Sequence, residues 1–496
     1  MRNLYMVSIL SFLTTVMSIA QNPEELSLFS ISQLTYEGAF RLEASEFGVS
    51  DLNYSEGPIA YNSKNHSLFI VGHAHQQAIA EFGIPELVKS EVLADLNMVD
   101  SPLQPFVQVL DGTPDGNPEG IDRIGGLYVV NNGGRQQLLV NGYEYYDAPG
   151  DNSLTTLVIN DANNLETSSL KGYMNFQGGA GHTSGWISPI PTIWQQVLEG
   201  SHITGQSSGI PIISRTSVGP SAFSFQMEEA LAATNEIATK ILMDFSLAEP
   251  LNEDLANETG TNDIWTHLSR ATYGFIVPGT RTYMTLGNSG GHISGVCYKC
   301  SQDDGNLCGG YCPPQASDEY QHYWLWDMQD LLKVKNGTLA SHEVLPYDYG
   351  IFNTPFQASG MRAVGGGSFD STTGNLYLTV QKGDTEQGTY ARPPVVVVYN
   401  VNGPISNTPE TVNVPIDETT NIRIYPNPTS DKITVSGLIS ESKILLTDVR
   451  HKVLKNITTT ESTAEVDLTP FSVGLYFISI QNKETGTLHT EKIVKR

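Results

Sequence analysis

The chain has 496 residues, of which 53 are acidic and 27 are Lys or Arg, so its formal net charge at pH 7 is −26. The acidic excess lies in residues 21–420, which hold 45 acidic and 16 basic residues and are long enough for one large domain or two ordinary ones. Because so acidic a surface repels polyanions at long range, composition argues against nucleic-acid binding and predicts no nucleic-acid partner.

The first twenty residues predict a secretory signal peptide over 1–20. They read MRNLYMVSILSFLTTVMSIA, in which Arg2 precedes an apolar run and Ser18 and Ala20 supply the small residues of a cleavage site. No later window holds about 18 consecutive apolar residues, so the sequence predicts no transmembrane segment.

Short strand patterns dominate residues 21–404. Runs such as SLFIVG, LYVVNN, TYMTLG and LYLTVQ are each followed by a second apolar run and a polar turn. Paired strands that recur in this way are typical of β-propeller blades. We therefore predict an all-β fold, with a six- or seven-bladed β-propeller over 21–404. A pair of β-sandwiches or a β-helix would give a similar strand spacing.

Two other patterns complete this region. ISQLTYEGAFRL, residues 31–42, precedes the first full unit and is expected to supply the closing strand of the last blade. Helical patterns are limited to 193–200, 225–246 and 328–337.

Polar side chains in Gly-rich loops are candidate site residues, since propellers bind ligands on the loops at the mouth of the ring. His73 and His75 end a predicted strand at i, i+2 spacing, which suits a metal pair, a substrate clamp or simply a polar strand end. His182 lies in GGAGHTSGW near Trp186, which could stack on a sugar ring. His202 lies in a similar polar loop.

Two further stretches contain arginine in a chain that has few. Arg215 follows an apolar run and precedes a turn, where it would form a buried ion pair or bind an anion. TYGFIVPGTRTYMTLGNSGGH contains Tyr273, Arg281 and His292 within about 20 residues.

The last 76 residues form a separate predicted domain, 421–496, behind a Pro/Thr-rich linker at 405–420. Alternating apolar residues predict short antiparallel strands. The segments YPNP (425–428), VGLY (473–476) and KIVK (492–495) resemble the C-terminal sorting domain of the type IX secretion system of Bacteroidota. The resemblance implies a small β-sandwich, the secretion machinery as a partner, and a secreted or cell-surface location reached through the periplasm. A terminal immunoglobulin-like binding module is the alternative.

All four cysteines lie in GVCYKCSQDDGNLCGGYC, at positions Cys297, Cys300, Cys308 and Cys312. Export through an oxidising periplasm favours disulfides, and a nested pairing of Cys297–Cys312 around Cys300–Cys308 would pin the loop. A zinc site made of the four thiolates is the alternative, with His292 or His322 able to replace one of them. The sequence establishes no cofactor, and a structural zinc or calcium ion stays open.

A secreted propeller with His, Tyr and Arg as its polar candidates resembles the propeller-type ulvan lyases of marine bacteria. The resemblance implies β-elimination in a uronate-containing algal polysaccharide, with Arg or His neutralising the carboxylate and Tyr or His acting as base and acid. The expected catalytic residues are His182, Arg215, Tyr273 and Arg281. The expected substrate-binding residues are His73, His75, Trp186, His202 and His292.

Two alternative functions stay open. A non-catalytic glycan-binding or adhesion propeller would use Trp186, Trp324 and Trp326 as stacking platforms. A glycoside hydrolase on the same scaffold would release reducing ends without a double bond.

Overall fold

The computed structural model describes residues 22–132, 134–209, 211–357, 363–401, 422–438, 442–448, 453–482 and 488–496. The predicted signal peptide and the predicted linker lie outside the described residues. The chain divides into two compact units, Met1–Asn407 and Thr408–Arg496.

Strands dominate the first unit, since its apolar residues recur with a two-residue period or in short continuous runs. They are β1 (Leu34–Leu42), β2 (Ile59–Asn62), β3 (Ser67–Val71), β4 (Ala78–Gly83), β5 (Met98–Val99), β6 (Gln104–Gln108), β7 (Arg123–Asn132), β8 (Arg135–Tyr143), β9 (Thr156–Ile159), β10 (Leu170–Phe176), β11 (Ile187–Pro189), β12 (His202–Thr204), β13 (Ala222–Phe225), β14 (Glu236–Ile237), β15 (Lys240–Met243), β16 (Arg270–Ile276), β17 (Thr282–Gly290), β18 (Cys297–Tyr298), β19 (Tyr311–Cys312), β20 (Glu319–Asp327), β21 (Asp348–Ile351), β22 (Val364–Asp370), β23 (Asn375–Val380) and β24 (Val395–Val401).

Short helices connect the strands. They are α1 (Ala180–Thr183), α2 (Thr192–Leu198), α3 (Met227–Ala232) and α4 (Met328–Lys335), with 3₁₀ turns at Pro23–Glu25, Ile31–Gln33, Leu93–Asp95, Ile213–Arg215 and Ser341–Glu343. Helices α2 and α4 confirm two of the predicted helices. The third prediction, a helix over 225–246, is wrong beyond α3. There β14 pairs with β10 and β15 pairs with β13, which buries Leu242 and Met243, so strand pairing overrides the helical pattern.

Apart from the two-stranded pair β18-β19, the described strands of the first unit form five sheets, each containing a run of four antiparallel neighbours. The orders are β2-β3-β4-β6, β7-β8-β9-β10-β14, β11-β12-β13-β15, β16-β17-β20-β21 and β22-β23-β24-β1-β5. In the last sheet, β1 from the start of the chain pairs antiparallel with β24, with Leu34 opposite Val401.

The first strands of these sheets contact one another in a cycle. Strand β2 contacts β7, β7 contacts β11, β11 contacts β16, β16 contacts β22, and β22 contacts β2. The described residues give five sheets of four or more strands instead of the expected six or seven blades, because 244–269 contains no strand and 291–318 contains only the two-stranded pair β18-β19.

The hydrophobic core lies where the sheets face one another. Strand β3 is buried along its whole length, since neighbouring sheets cover both of its faces. The core also takes the largest side chains. Trp324 and Trp326 are 0% exposed and therefore cannot serve as the exposed stacking platforms that the adhesion alternative expected.

The second unit contains two antiparallel sheets around one hydrophobic cluster, as expected for a small β-sandwich. Sheet order is β25-β26-β29 in one and β28-β27-β30-β31 in the other. Its strands are β25 (Arg423–Tyr425), β26 (Lys432–Ser436), β27 (Ser442–Asp448), β28 (Val453–Thr459), β29 (Thr463–Asp467), β30 (Gly474–Asn482) and β31 (Leu488–Lys495).

Candidate functional site

One end of the five sheets carries most of the candidate residues. Because successive antiparallel strands run in opposite directions, the links between second and third strands lie at the end where the first strand begins, here called the proximal end. Hydrogen bonds join the proximal ends of neighbouring sheets: Ile124 N–H donates to Gln77 Oε1 (2.7 Å), and Ser207 Oγ donates to the Ala271 carbonyl (2.9 Å). The loops at the proximal end are called the proximal surface.

The first feature of this surface is the His182 pocket, a cavity of about 140 Å³. His182 lies in α1, after a turn in which Gly179 takes a φ of +92° that favours glycine. Its Nδ1 is 2.7 Å from Asp244 Oδ1, so the carboxylate fixes the orientation of the imidazole ring. Tyr143 and Gln206 also line the cavity.

Arg215 lines the same pocket, but its guanidinium already has partners within the chain. Nε donates to the Asp147 carbonyl (3.3 Å) and Nη2 to the Ala148 carbonyl (3.4 Å). The pocket thus brings His182 and Arg215 together, while part of the hydrogen-bonding capacity of Arg215 is used to hold the β8–β9 link.

Glu144 and Asp147 make the lining of this pocket acidic, and Asp151 lies beside them. Oxygen atoms of Glu144, Asp147 and Asp151 lie within 4.8 Å of one another, close enough to hold a hard cation such as calcium. Burial raises the pKa of Glu144 above its usual range, and the charges of Asp147 and Asp151 raise it further. Asp147 Oδ1 also accepts the backbone N–H groups of Gly150 (2.7 Å) and Asp151 (3.1 Å), so internal hydrogen bonds account for the shape of the cluster.

The other two expected catalytic residues lie away from this pocket. Tyr273 is 2% exposed, its ring stacks against Phe275, and burial raises its pKa far above the usual range. Arg281 lies in the turn between β16 and β17, at the opposite end of the sheets, where Nε is 3.1 Å from Asp327 Oδ1. The four expected catalytic residues therefore do not converge.

Three of the expected substrate-binding residues have partners in the interior. Trp186 is 2% exposed and its Nε1 donates to the Tyr283 hydroxyl (2.9 Å). The His202 ring contacts Tyr128, and desolvation lowers its pKa to about 3. His292 lies between Ser289 Oγ (2.7 Å) and the Asn262 carbonyl (2.8 Å), where burial lowers its pKa.

His73 and His75 lie in the β3–β4 link and border a second proximal feature. The ring centroids of His73 and His75 are 5.3 Å apart, and the His73 ring meets Tyr54 edge to face at 5.4 Å. Tyr54 belongs to a shallow pocket of about 170 Å³, which we call the tyrosine–cation patch. It is lined by Tyr54, Lys382, Thr389, Tyr390 and Arg392.

The patch combines exposed aromatic rings with two cations. Tyr390 is 81% exposed and Tyr54 is 50% exposed. The Lys382 ammonium lies 5.6 Å from the centroid of the Tyr54 ring. Tyr54 and Lys382 have φ angles of +57° and +52°, a left-handed conformation that is uncommon for residues with side chains and that is enriched at ligand-binding positions.

The cations of the patch lack carboxylate partners. Within the described ranges, neither Lys382 nor Arg392 forms a salt bridge, since the two acids of the same loop, Asp384 and Glu386, are bound by Arg41 at 2.7 and 3.2 Å. Sequence reasoning missed this patch. The signal that could have revealed it is QKGDTEQGTYARPP, a long polar link with an exposed aromatic residue and two cations between two strong strand patterns.

The four cysteines lie in the proximal link between β17 and β20. The structure pairs Cys297 with Cys300 and Cys308 with Cys312, so the expected nested pairing is wrong: each bond joins cysteines three or four positions apart. No cysteine of this chain is free in the structure, and all four lie in described residues.

Comparison with known proteins identifies only the C-terminal region. No curated protein sequence matches the chain. Among matching solved structures is PorZ, an essential bacterial surface component of the type IX secretion system of Porphyromonas gingivalis, at 12% identity and a TM-score of 0.30. The match covers 88% of this chain and 44% of PorZ, so this chain spans less than half the length of that protein.

The described helices include none that is long and apolar enough to span a bilayer. Residues 423–496 match the family model of the secretion system C-terminal sorting domain. The chain therefore ends in a type IX secretion sorting domain, and the protein is exported to the cell surface or beyond it.

Proposed function

We propose that the first unit is a five-bladed β-propeller that binds an acidic glycan at the bacterial surface without cleaving it. Two observations support the propeller: the first strands of the five sheets contact one another in a cycle, and β1 completes the last sheet beside β24. Pairing of a strand from the start of the chain with the last strand of the unit closes such a ring.

The tyrosine–cation patch carries the proposal of glycan binding. Exposed tyrosine rings offer flat apolar surfaces against which a sugar ring can stack, and the nearby hydroxyls offer hydrogen bonds. Lys382 and Arg392 would bind the carboxylate or sulfate groups of the same chain, with the planar guanidinium suited to two parallel hydrogen bonds. In a chain of net charge −26, two cations without a salt-bridge partner among the described residues are a specific binding feature.

The positions of the expected catalytic residues favour binding over cleavage. β-Elimination needs a carboxylate-neutralising group and a base within reach of one sugar unit. Tyr273 is buried, Arg281 lies at the opposite end, and the pocket that holds His182 is lined by the carboxylates of Glu144 and Asp147, which would repel a uronate.

The test is isothermal titration of the full chain with oligosaccharides of ulvan, alginate and pectin, together with the ultraviolet absorbance of unsaturated uronates. We expect binding to at least one acidic glycan and no absorbance change. Lys382→Ala/Arg392→Ala should weaken binding at least about tenfold for each cation removed. Arg135→Ala is the matched control, because Arg135 is an exposed cation in the β7–β8 turn at the opposite end. Equal binding by the double variant would refute the patch as the site.

A polysaccharide lyase is the second candidate, favoured by the short His182–Asp244 contact in a pocket that also holds Arg215 and Tyr143. Under this alternative, the absorbance of unsaturated products should rise with the wild-type chain and be lost in His182→Gln. Wild-type protein that binds uronans without any product rules this candidate out.

A further inference from the structure

The β17–β20 link, residues 291–318, has too little apolar interior to fold by hydrophobic packing. Its large apolar side chains face outward: Ile293 is 74%, Tyr298 59% and Leu307 76% exposed. Segments without a core of their own need covalent or metal cross-links to hold one conformation. The four cysteines are the groups in this link that can supply them.

Sulfur atoms from both cysteine pairs lie close together. Strands β18 and β19 pair so that Cys297 lies opposite Cys312. Cys300 Sγ is 3.4 Å from Cys312 Sγ, and the sulfurs of Cys297, Cys300 and Cys312 all lie within 4.8 Å of one another. Cys308 lies outside that group of three but is bonded to one of its members, Cys312.

This clustering matches the geometry of a tetrahedral thiolate site. Four sulfurs about 2.3 Å from a zinc ion lie roughly 3.8 Å from one another, close to the 3.4 Å between Cys300 Sγ and Cys312 Sγ. The Cys-x2-Cys and Cys-x3-Cys spacings place two ligands on each arm of the short ribbon formed by β18 and β19. The Cys308 N–H donates to the Cys300 carbonyl (3.1 Å), which further joins the two arms.

Two local disulfides would constrain the link much less than a metal ion would. Each closes a loop of only three or four positions, and the stabilisation that a cross-link gives increases with the length of the loop it closes. A zinc ion bound to both pairs would connect Cys297 to Cys312 and close the whole ribbon.

We propose that these four cysteines, when reduced, form a structural tetrathiolate zinc site, and that the two disulfides are the oxidised form of the same cluster. An external dithiol reduces the two disulfides to four thiols and is itself oxidised to a disulfide. Zinc binding then converts the thiols to thiolates and releases their protons, with no further change in oxidation state. His292 is not a ligand, because its two ring nitrogens already contact Ser289 and Asn262.

The test uses the full chain purified under reducing conditions in the presence of zinc, with bound metal measured by mass spectrometry and thiols counted under denaturant. We expect one zinc and four thiols per chain, and a cobalt-substituted form with the visible absorption bands of tetrahedral thiolate coordination. Cys308→Ser should retain less than about one zinc per ten chains. The control Ser301→Ala, an exposed neighbour, should keep full stoichiometry.

Two results would overturn the proposal. One is a fully reduced chain that binds no zinc. The other is a chain that keeps its zinc in both Cys308→Ser and Cys297→Ser. Circular dichroism of each variant shows whether the five sheets remain folded, and titration of the wild-type chain with an organomercurial should release one zinc for every four thiols modified. The organomercurial titration uses only the wild-type chain, so its result does not depend on whether a variant folds.

Discussion

The His182 pocket and the tyrosine–cation patch both lie at the proximal end of the first unit. They differ in whether their charged side chains already have partners within the protein. In the pocket, Asp244 holds His182, and two backbone carbonyls accept from Arg215. In the patch, Lys382 and Arg392 have no salt-bridge partner among the described residues.

The charged groups of the pocket are therefore already bound within the protein, whereas the cations of the patch can bind a ligand without losing a salt bridge. A charge that is already paired gains little from a ligand, because the ligand must replace hydrogen bonds that exist in the free protein. A cation without a partner beside an exposed aromatic ring gains its first partner from the ligand. On this ground, the patch is the better anion site even though the pocket contains more polar groups.

The largest effect should come from breaking the pocket. Gly181→Ala would place a methyl group where the Arg215 carbonyl oxygen lies, a backbone overlap that no side-chain rotation relieves. We expect a loss of about 3 kcal/mol in the free energy of unfolding, measured by denaturation followed by circular dichroism. Glycan binding at the patch should persist while the chain is folded. Gly83→Ala, where an added methyl meets no atom within 4 Å, is the control. Equal stabilities of the two variants would contradict the close contact between Gly181 and the Arg215 carbonyl.

The next effect concerns the charges of the patch. Raising NaCl from about 0.05 to about 0.5 M should weaken the binding of an acidic oligosaccharide roughly tenfold, because exposed charges are screened within a few ångströms at the higher concentration. Calorimetry at each salt concentration measures this. A neutral oligosaccharide of the same length is the control, and salt-independent binding of the acidic ligand would exclude Lys382 and Arg392 as its anchors.

A smaller effect should follow from removing one aromatic surface. Tyr390→Ala should weaken glycan binding about fivefold through loss of stacking, with no change in thermal stability, because Tyr390 is 81% exposed. The matched control is Tyr146→Ala, an exposed tyrosine (60%) in the β8–β9 link beside the His182 pocket. If Tyr146→Ala weakens binding more than Tyr390→Ala, the glycan binds at the pocket.

Much of the fold could be predicted from strand patterns. SLFIVG became β3 and LYLTVQ became β23, since short apolar runs between polar turns have few other stable states. The number of sheets could not be predicted in the same way. An apolar pattern indicates that a strand exists. It does not show whether a long link such as 291–318 adds a further sheet, because that depends on which strands lie beside it.

The candidate site was predicted in part, for a related reason. His182 and Arg215 were expected because a Gly-rich loop and an isolated arginine are visible locally. Tyr273 was misplaced in the site because alternation does not reveal that a second sheet covers that face of β16. Tyr54 and Arg392 were missed because they are far apart in the chain and are brought together through long-range contacts, as where the Arg392 backbone N–H donates to Asn53 Oδ1 (3.0 Å).

The smallest expected effect tests whether the acidic side of the pocket is empty of cations in solution. The pKa of Glu144 is raised in the folded state, so folding favours its protonated form. The associated stability is present at low pH and is lost as the pH rises from the ordinary glutamate value through the raised folded value. Glu144→Gln, which is neutral at every pH, should therefore increase Tm by about 1 °C at neutral pH and change it little near pH 3.5, as measured by calorimetry.

Glu258→Gln, a change at an exposed carboxylate outside the cluster, should leave Tm unchanged at both pH values and serves as the control. A Tm of Glu144→Gln below that of the wild-type chain at neutral pH would contradict this prediction. If that difference disappears once calcium is removed from the wild-type chain, the wild-type chain binds calcium at Glu144. The three carboxylates would then hold a cation that cancels their repulsion, and the pocket would no longer be too acidic for a uronate. The pocket would then offer a positive charge to an anionic ligand, as the patch does. The bound cation would supply the carboxylate-neutralising group that the lyase alternative lacks.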